Sequence, residues 1–137
     1  MESLNKKQWL LCSLIGFAFI FAFEYVVHGV CLKDMYDVSP ELWRSPESMV
    51  GYFPFMVLMQ VLFVAVTAYI FAQNYEGKGM GEGLRFGVPF GLLIAIFYTA
   101  PFAWLPISPL LAVYWALSGL IEGIVLGLIF SVLYKAK

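Results

Sequence analysis

Four apolar runs, each long enough to cross a bilayer, constrain this sequence more than any other feature. They cover about residues 9–30, 49–72, 84–105 and 110–134. A helix rises 1.5 Å per residue, so roughly twenty apolar residues cross a hydrocarbon core of about 30 Å. Inside that core each backbone polar group must be satisfied by the chain itself, and for runs of this length that means helix. The expected fold is all-α, a four-transmembrane-helix bundle forming a single integral membrane domain over residues 1–137. Charged residues make up only 12% of the chain, against about 25% in ordinary soluble domains, so no stretch remains for a separate soluble domain. A net charge of −1 offers no basic patch for nucleic acid. The expected partner is the lipid bilayer.

The polar segments between the runs carry their own signals. Residues 33–48 hold Asp34, Asp37, Glu41, Arg44 and Glu47. Within them, Ser39-Pro40 and Ser45-Pro46 each place an N-cap residue before a proline suited to the first helical position. The first predicts a short interfacial turn carrying Leu42 and Trp43, and the second predicts the start of the second span. A glycine-rich loop is expected over residues 73–83. Pro101 should kink or end the third span, because proline removes a backbone donor and crowds the preceding turn. Pro106-Ile107-Ser108-Pro109 predicts a tight turn. Lys6 and Lys7 before an apolar run resemble a signal peptide, but the run is too long and no small-residue cleavage site follows, so a retained signal-anchor helix is expected.

Lysine and arginine placement predicts orientation. Lys6, Lys7, Lys78, Arg85, Lys135 and Lys137 flank one side of the spans, and only Lys33 and Arg44 flank the other. Both termini and the middle loop are then cytoplasmic. Trp9, Tyr75 and Tyr134 fall at the inner interface, and Tyr36, Trp43, Tyr52 and Trp104 at the outer one, as aromatic belts do.

Small residues recur every fourth position at Gly83, Gly87 and Gly91, and again at Gly119, Gly123 and Gly127, continued by Ser131. Such faces let helix backbones approach closely. The third and fourth spans should pack tightly through these glycine zippers, on each other or on a neighbouring molecule.

The candidate functional residues are the polar groups inside the spans, which are costly in a bilayer. Glu24 and His28 are four residues apart and share a helix face. Counted from the outer end of each span, His28 lies about 3 Å in, Glu24 and Thr99 about 9 Å, Ser118 about 12 Å, Gln60 about 15 Å and Glu122 about 18 Å. A central ionised side chain facing lipid costs about 2.5–3.5 kcal/mol, so these groups should face the bundle interior as a lining that opens outward. Four readings suit such a lining: an interhelical hydrogen-bond cluster that fixes packing, a proton or solute path, a site for a lipid head group or quinone, and a metal site. The metal candidates are Glu24 and His28, with Glu122 as a third ligand. No cofactor is predicted. His28 is the only histidine, so a bis-His haem within one chain is excluded. Cys31, seven residues after Glu24, falls near the same face and reads as a small buried hydrophobe. Met49, Met56 and Met59 read as packing residues. No nucleophile–base pair or phosphate-binding loop is present, and Gly77-Lys78-Gly79-Met80-Gly81 lacks the P-loop pattern.

His28-Gly29-x-x-Leu32-x-x-x-Tyr36, Leu42-Trp43-Arg44 and Glu82-Gly83-Leu84-Arg85-Phe86-Gly87 together resemble a group of small uncharacterised bacterial four-span integral membrane proteins. The resemblance implies four spans, a polar first outer loop and a bacterial inner membrane. It implies no activity. The function expected from the sequence is a non-catalytic accessory or assembly subunit that packs through its glycine faces, as a homo-oligomer or within a larger membrane complex. The alternative is a small oligomeric transporter or channel for protons, metal ions or a small solute, using Glu24, His28 and Glu122.

Overall fold

A computed structural model describes residues 4–136. It contains helices and no strand among those residues. In chain order they are α1 (Lys6–Val26), a π-helical turn (Val27–Cys31), α2 (Lys33–Asp37), a 3-10 turn (Pro40–Leu42), α3 (Pro46–Gln73), α4 (Met80–Thr99), a second 3-10 turn (Ala100–Ala103) and α5 (Pro109–Leu133). Four helical segments are long and apolar enough to cross a membrane: Lys6–Cys31, Pro46–Gln73, Met80–Ala103 and Pro109–Leu133. The chain is a multi-pass integral membrane protein. Large apolar side chains such as Phe55, Ile96, Phe97 and Val132 point outward from it, the arrangement that contact with lipid requires.

Local chemistry sets the ends of the spans. Asn5, Ser45 and Ser108 cap α1, α3 and α5, each side chain accepting a backbone N–H of the first turn. Pro46 and Pro109 then occupy the first turn, where a missing N–H costs nothing. Pro101 ends α4 as expected, and the chain continues as a 3-10 turn. Three boundaries differ from the sequence reading. α3 begins at Pro46 rather than near Met49, because the Ser45 cap works from the first possible residue. α4 begins at Met80, so Gly83 is helical. Residues 33–37 form α2, a turn that no apolar periodicity announced.

The helices form two pairs. α1 packs on α3, α4 packs on α5, and α5 also packs on α1. α5 is the centre, burying about twice the share of its residues that any other span does. The main core joins Cys12 and Ile20 of α1, Val64, Ala68 and Phe71 of α3, and Leu126 and Phe130 of α5, with Tyr134 just beyond. Phe86 meets Phe71 edge-on at 5.3 Å between ring centroids, bringing α4 to the same core.

The two ends of the bundle differ. At the terminal end, the Asn5 backbone N–H donates to the Tyr134 hydroxyl at 3.2 Å, and the Asn5 side chain donates to the Lys135 carbonyl at 3.0 Å. The α3–α4 loop lies there too, with Tyr75 against Tyr134. Glu82 is buried and organises that loop, accepting the backbone N–H groups of Glu76 at 2.6 Å and Lys78 at 2.8 Å. Gly79 completes the turn with φ +66°, a conformation side-chain-bearing residues rarely adopt. At the opposite end, which we call the cap end, the segment 32–43 folds over the top of α5. Leu32 forms a second core there with Ile107, Leu111 and Ala112, joined by Met35, Leu42 and Trp43.

Candidate functional site

The intramembrane polar groups are assembled by α1, α2, α4 and α5 near the cap end. Glu24 and His28 lie one turn apart, with His28 Nε2 3.5 Å from Glu24 Oε2. The π-helical turn begins just after Glu24's own turn and contains His28; its signature is the Leu32 N–H donating to the Val27 carbonyl at 2.8 Å, five residues back. π turns concentrate at functional sites. On the other side of the ring, His28 Nδ1 is hydrogen-bonded to the Tyr36 hydroxyl. That hydroxyl accepts the Trp115 indole N–H at 2.7 Å. Trp43 closes the cluster, its indole N–H donating to the Tyr36 carbonyl at 3.2 Å and its ring meeting Tyr36 edge-on at 5.1 Å. Burial raises the Tyr36 phenol above its ordinary pKa, opposed by the Trp115 N–H and reinforced by the negative charge of Glu24. Tyr36 therefore holds its proton at neutral pH.

Toward the bundle centre, Glu24 and Glu122 are neighbours. Glu122 is fully buried, and its Oε2 accepts the Tyr98 O–H at 3.1 Å. The Oε1 atoms of both glutamates are buried and have no hydrogen-bond partner. A run of neighbouring polar side chains thus leads from Trp115 through Tyr36, His28, Glu24 and Glu122 to Tyr98. Below it the core is mainly apolar, with Thr67 and Ser131 bonded to carbonyls of their own helices and Glu82 bonded to the α3–α4 loop.

No protein-family model, no curated protein and no solved structure matches this chain.

Three of the six polar residues singled out from sequence, Glu24, His28 and Glu122, are brought together. Depth counting separated Glu24 from Glu122 by about 9 Å because it assumed that all spans end at one plane. In the structure segment 32–43 covers the start of α5, and the two glutamates are neighbours. Thr99 and Ser118 do not line a cavity. Their hydroxyls bond their own helix, Thr99 to the Ala95 carbonyl at 2.6 Å and Ser118 to the Trp115 carbonyl at 2.9 Å. Gln60 is half-buried with an unpaired Oε1 and no hydrogen bond to the chain of groups above. Cys31 is exposed rather than buried. The π turn adds a residue to the winding, which rotates Cys31 by about 100° from the face it would share with Glu24 in a regular α-helix. Among the described residues no three His, Cys, Asp or Glu side chains converge to hold a metal.

The six glycines lie where α4 and α5 cross. A Cβ on Gly87 would stand 2.7 Å from the Gly123 carbonyl oxygen, and one on Gly91 2.5 Å from the Leu120 carbonyl oxygen. A Cβ on Gly83 would stand 2.6 Å from the Gly127 carbonyl oxygen, and one on Gly119 2.9 Å from the Ala95 nitrogen. A Cβ on Gly123 or Gly127 would overlap the α4 backbone. Tyr36, Tyr98 and Trp115 were missed as site residues. The sequence reading places Tyr36 in the aromatic belt and does not single out Tyr98 or Trp115, although a buried phenol or indole usually needs a partner.

Proposed function

We propose that this chain is a small proton-coupled membrane transporter in which the Glu24–Glu122 pair binds the proton and Tyr36 and His28 form its route from the cap end. The observation that carries this reading is that two glutamates from different helices are neighbours inside a membrane bundle, each with a buried oxygen that has no hydrogen-bond partner. Neighbouring carboxyls in a low-dielectric interior resist ionising together, so on this reading the pair shares a proton. His28 and Tyr98 stabilise the remaining negative charge from either side. Only one end of the bundle supplies polar groups that lead to the pair. The other half of α1, α3 and α5 is closed by Ile20, Val64, Phe71, Leu126 and Phe130. That one-sided access suits a carrier that changes conformation better than an open channel.

On this reading the protein resides in a bacterial inner membrane with both termini cytoplasmic. The lysine and arginine asymmetry supports that placement, since Lys6, Lys7, Lys78 and Lys135 all belong to the terminal end. An accessory-subunit role, as a homo-oligomer or in a larger complex, would need a partner surface other than the two glycine faces, because α4 and α5 use those on each other. The test is proton uptake into proteoliposomes carrying a pH-sensitive dye, with and without an imposed gradient. Uptake that depends on the protein and is lost in Glu24→Gln and Glu122→Gln supports the proposal. Uptake equal to that of empty vesicles, or unchanged in both variants, overturns it.

A further inference from the structure

Counting donors and acceptors around His28 leads one step further. The Trp115 indole N–H is a donor only, so the Tyr36 oxygen must accept from it. Tyr36 keeps its own proton and must place it on an acceptor. Among the described residues, the only side-chain acceptor bonded to its hydroxyl is His28 Nδ1. If Nδ1 carried hydrogen, two N–H groups would point at the Tyr36 oxygen and its O–H would be stranded in a half-buried site. A stranded donor costs about 1–3 kcal/mol. On the far side of the ring, Nε2 faces a Glu24 oxygen, which accepts.

We infer that Tyr36, held in place by Trp115, is a positioning residue that fixes His28 as the neutral tautomer with its hydrogen on Nε2. The functional meaning of this arrangement rests on the proton-path reading above. In one passage, a hydronium ion at the cap end gives its excess proton to the Tyr36 oxygen and is left as water, as the Tyr36 proton moves to His28 Nδ1. The Nε2 proton then moves to an ionised Glu24. One proton enters, one arrives, and Tyr36 ends as it began. His28 is left with hydrogen on Nδ1, so its ring must turn over before the next passage. The π turn that carries His28 is where such a resetting step would occur.

His28 is the only histidine in the sequence, so its ring nitrogens can be assigned without ambiguity by 15N NMR of histidine-labelled protein in bilayers above neutral pH. The expected result is a protonated Nε2 and an unprotonated Nδ1 that accepts a hydrogen bond. Tyr36→Phe should move the Nδ1 resonance to that of a free ring nitrogen while Nε2 stays protonated. Trp115→Phe keeps a ring but loses the donor, and should shift Nδ1 in the same direction by less. A wild-type ring with hydrogen on Nδ1 overturns the inference, as does an Nδ1 resonance unmoved in both variants. The wild-type spectrum decides even if a variant fails to fold. Proteoliposome uptake is read separately: the expected tautomer without uptake sinks the proton path and leaves the positioning role standing, and uptake with the opposite tautomer does the reverse.

Discussion

Glu122 is buried completely, yet its Oε1 has no hydrogen-bond partner. A neutral group at that position makes the bundle inexpensive to insert; an ionised one would carry the cost of a buried charge. Glu122→Gln keeps the shape and is neutral at every pH, so its melting temperature in detergent should stay close to that of the wild type. A severe loss of expression would contradict a shared proton. Tyr98→Phe is different. It removes the one hydroxyl that donates to Glu122 and should cost about 1–3 kcal/mol, read by reversible unfolding in mixed micelles. At this scale the sequence was informative about charge and misleading about hydroxyls. Glu24, His28 and Glu122 stand out because ionisable groups are rare in apolar runs. Thr99 and Ser118 looked equivalent, but helical serine and threonine are readily satisfied by a carbonyl of the preceding turn, and depth alone does not reveal that.

The glycines of α4 and α5 act as an element-scale device. The four-residue spacing announced a close approach but did not say whether the partner was inside or outside the chain; that is decided by how the α4–α5 hairpin folds. Gly87→Ala and Gly123→Ala force a methyl against carbonyl or backbone atoms of the facing helix and should destabilise by about 1–3 kcal/mol or more. Gly51→Ala and Gly81→Ala meet nothing within 4 Å, and should be neutral or slightly stabilising by up to about 1 kcal/mol. Because the contact is within one chain, the losses should not depend on protein concentration in dilution series of thermal melts. The α3–α4 loop has its own signature. Lys78 and then Arg85 hold the exposed Glu76 carboxyl down to about 2 from an ordinary 4.5, at 2.5 Å and 2.8 Å respectively. A carboxyl lowered on folding adds stability that is complete above the ordinary value and lost as pH falls toward the folded one. The melting difference between wild type and Glu76→Gln should therefore be small, weakened by salt, present above about pH 4.5 and gone by about pH 2. The π turn was invisible beforehand, since nothing in Val27-His28-Gly29-Val30-Cys31 distinguishes it from a regular turn by composition.

At the scale of the molecule, the four-span architecture was legible because hydropathy and length are additive along the chain. Which helix sits at the centre was not, because that depends on crossing and on the cap segment 32–43 folding over α5. Orientation can be tested with the two thiols. Cys31 is exposed near the cap end and Cys12 is buried. A membrane-impermeant maleimide added to intact cells should label Cys31 from outside and leave Cys12 untouched; labelling of Cys31 only after lysis would reverse the orientation. Labelling of Cys31 from outside would place the polar groups near the outer face. The most direct measurement of the central claim is infrared difference spectroscopy of the protein in bilayers across a pH titration. We predict a protonated-carboxyl band at neutral pH that is lost in Glu122→Gln and altered in Glu24→Gln. A spectrum with no such band at neutral pH, or one that both variants leave unchanged, would contradict it.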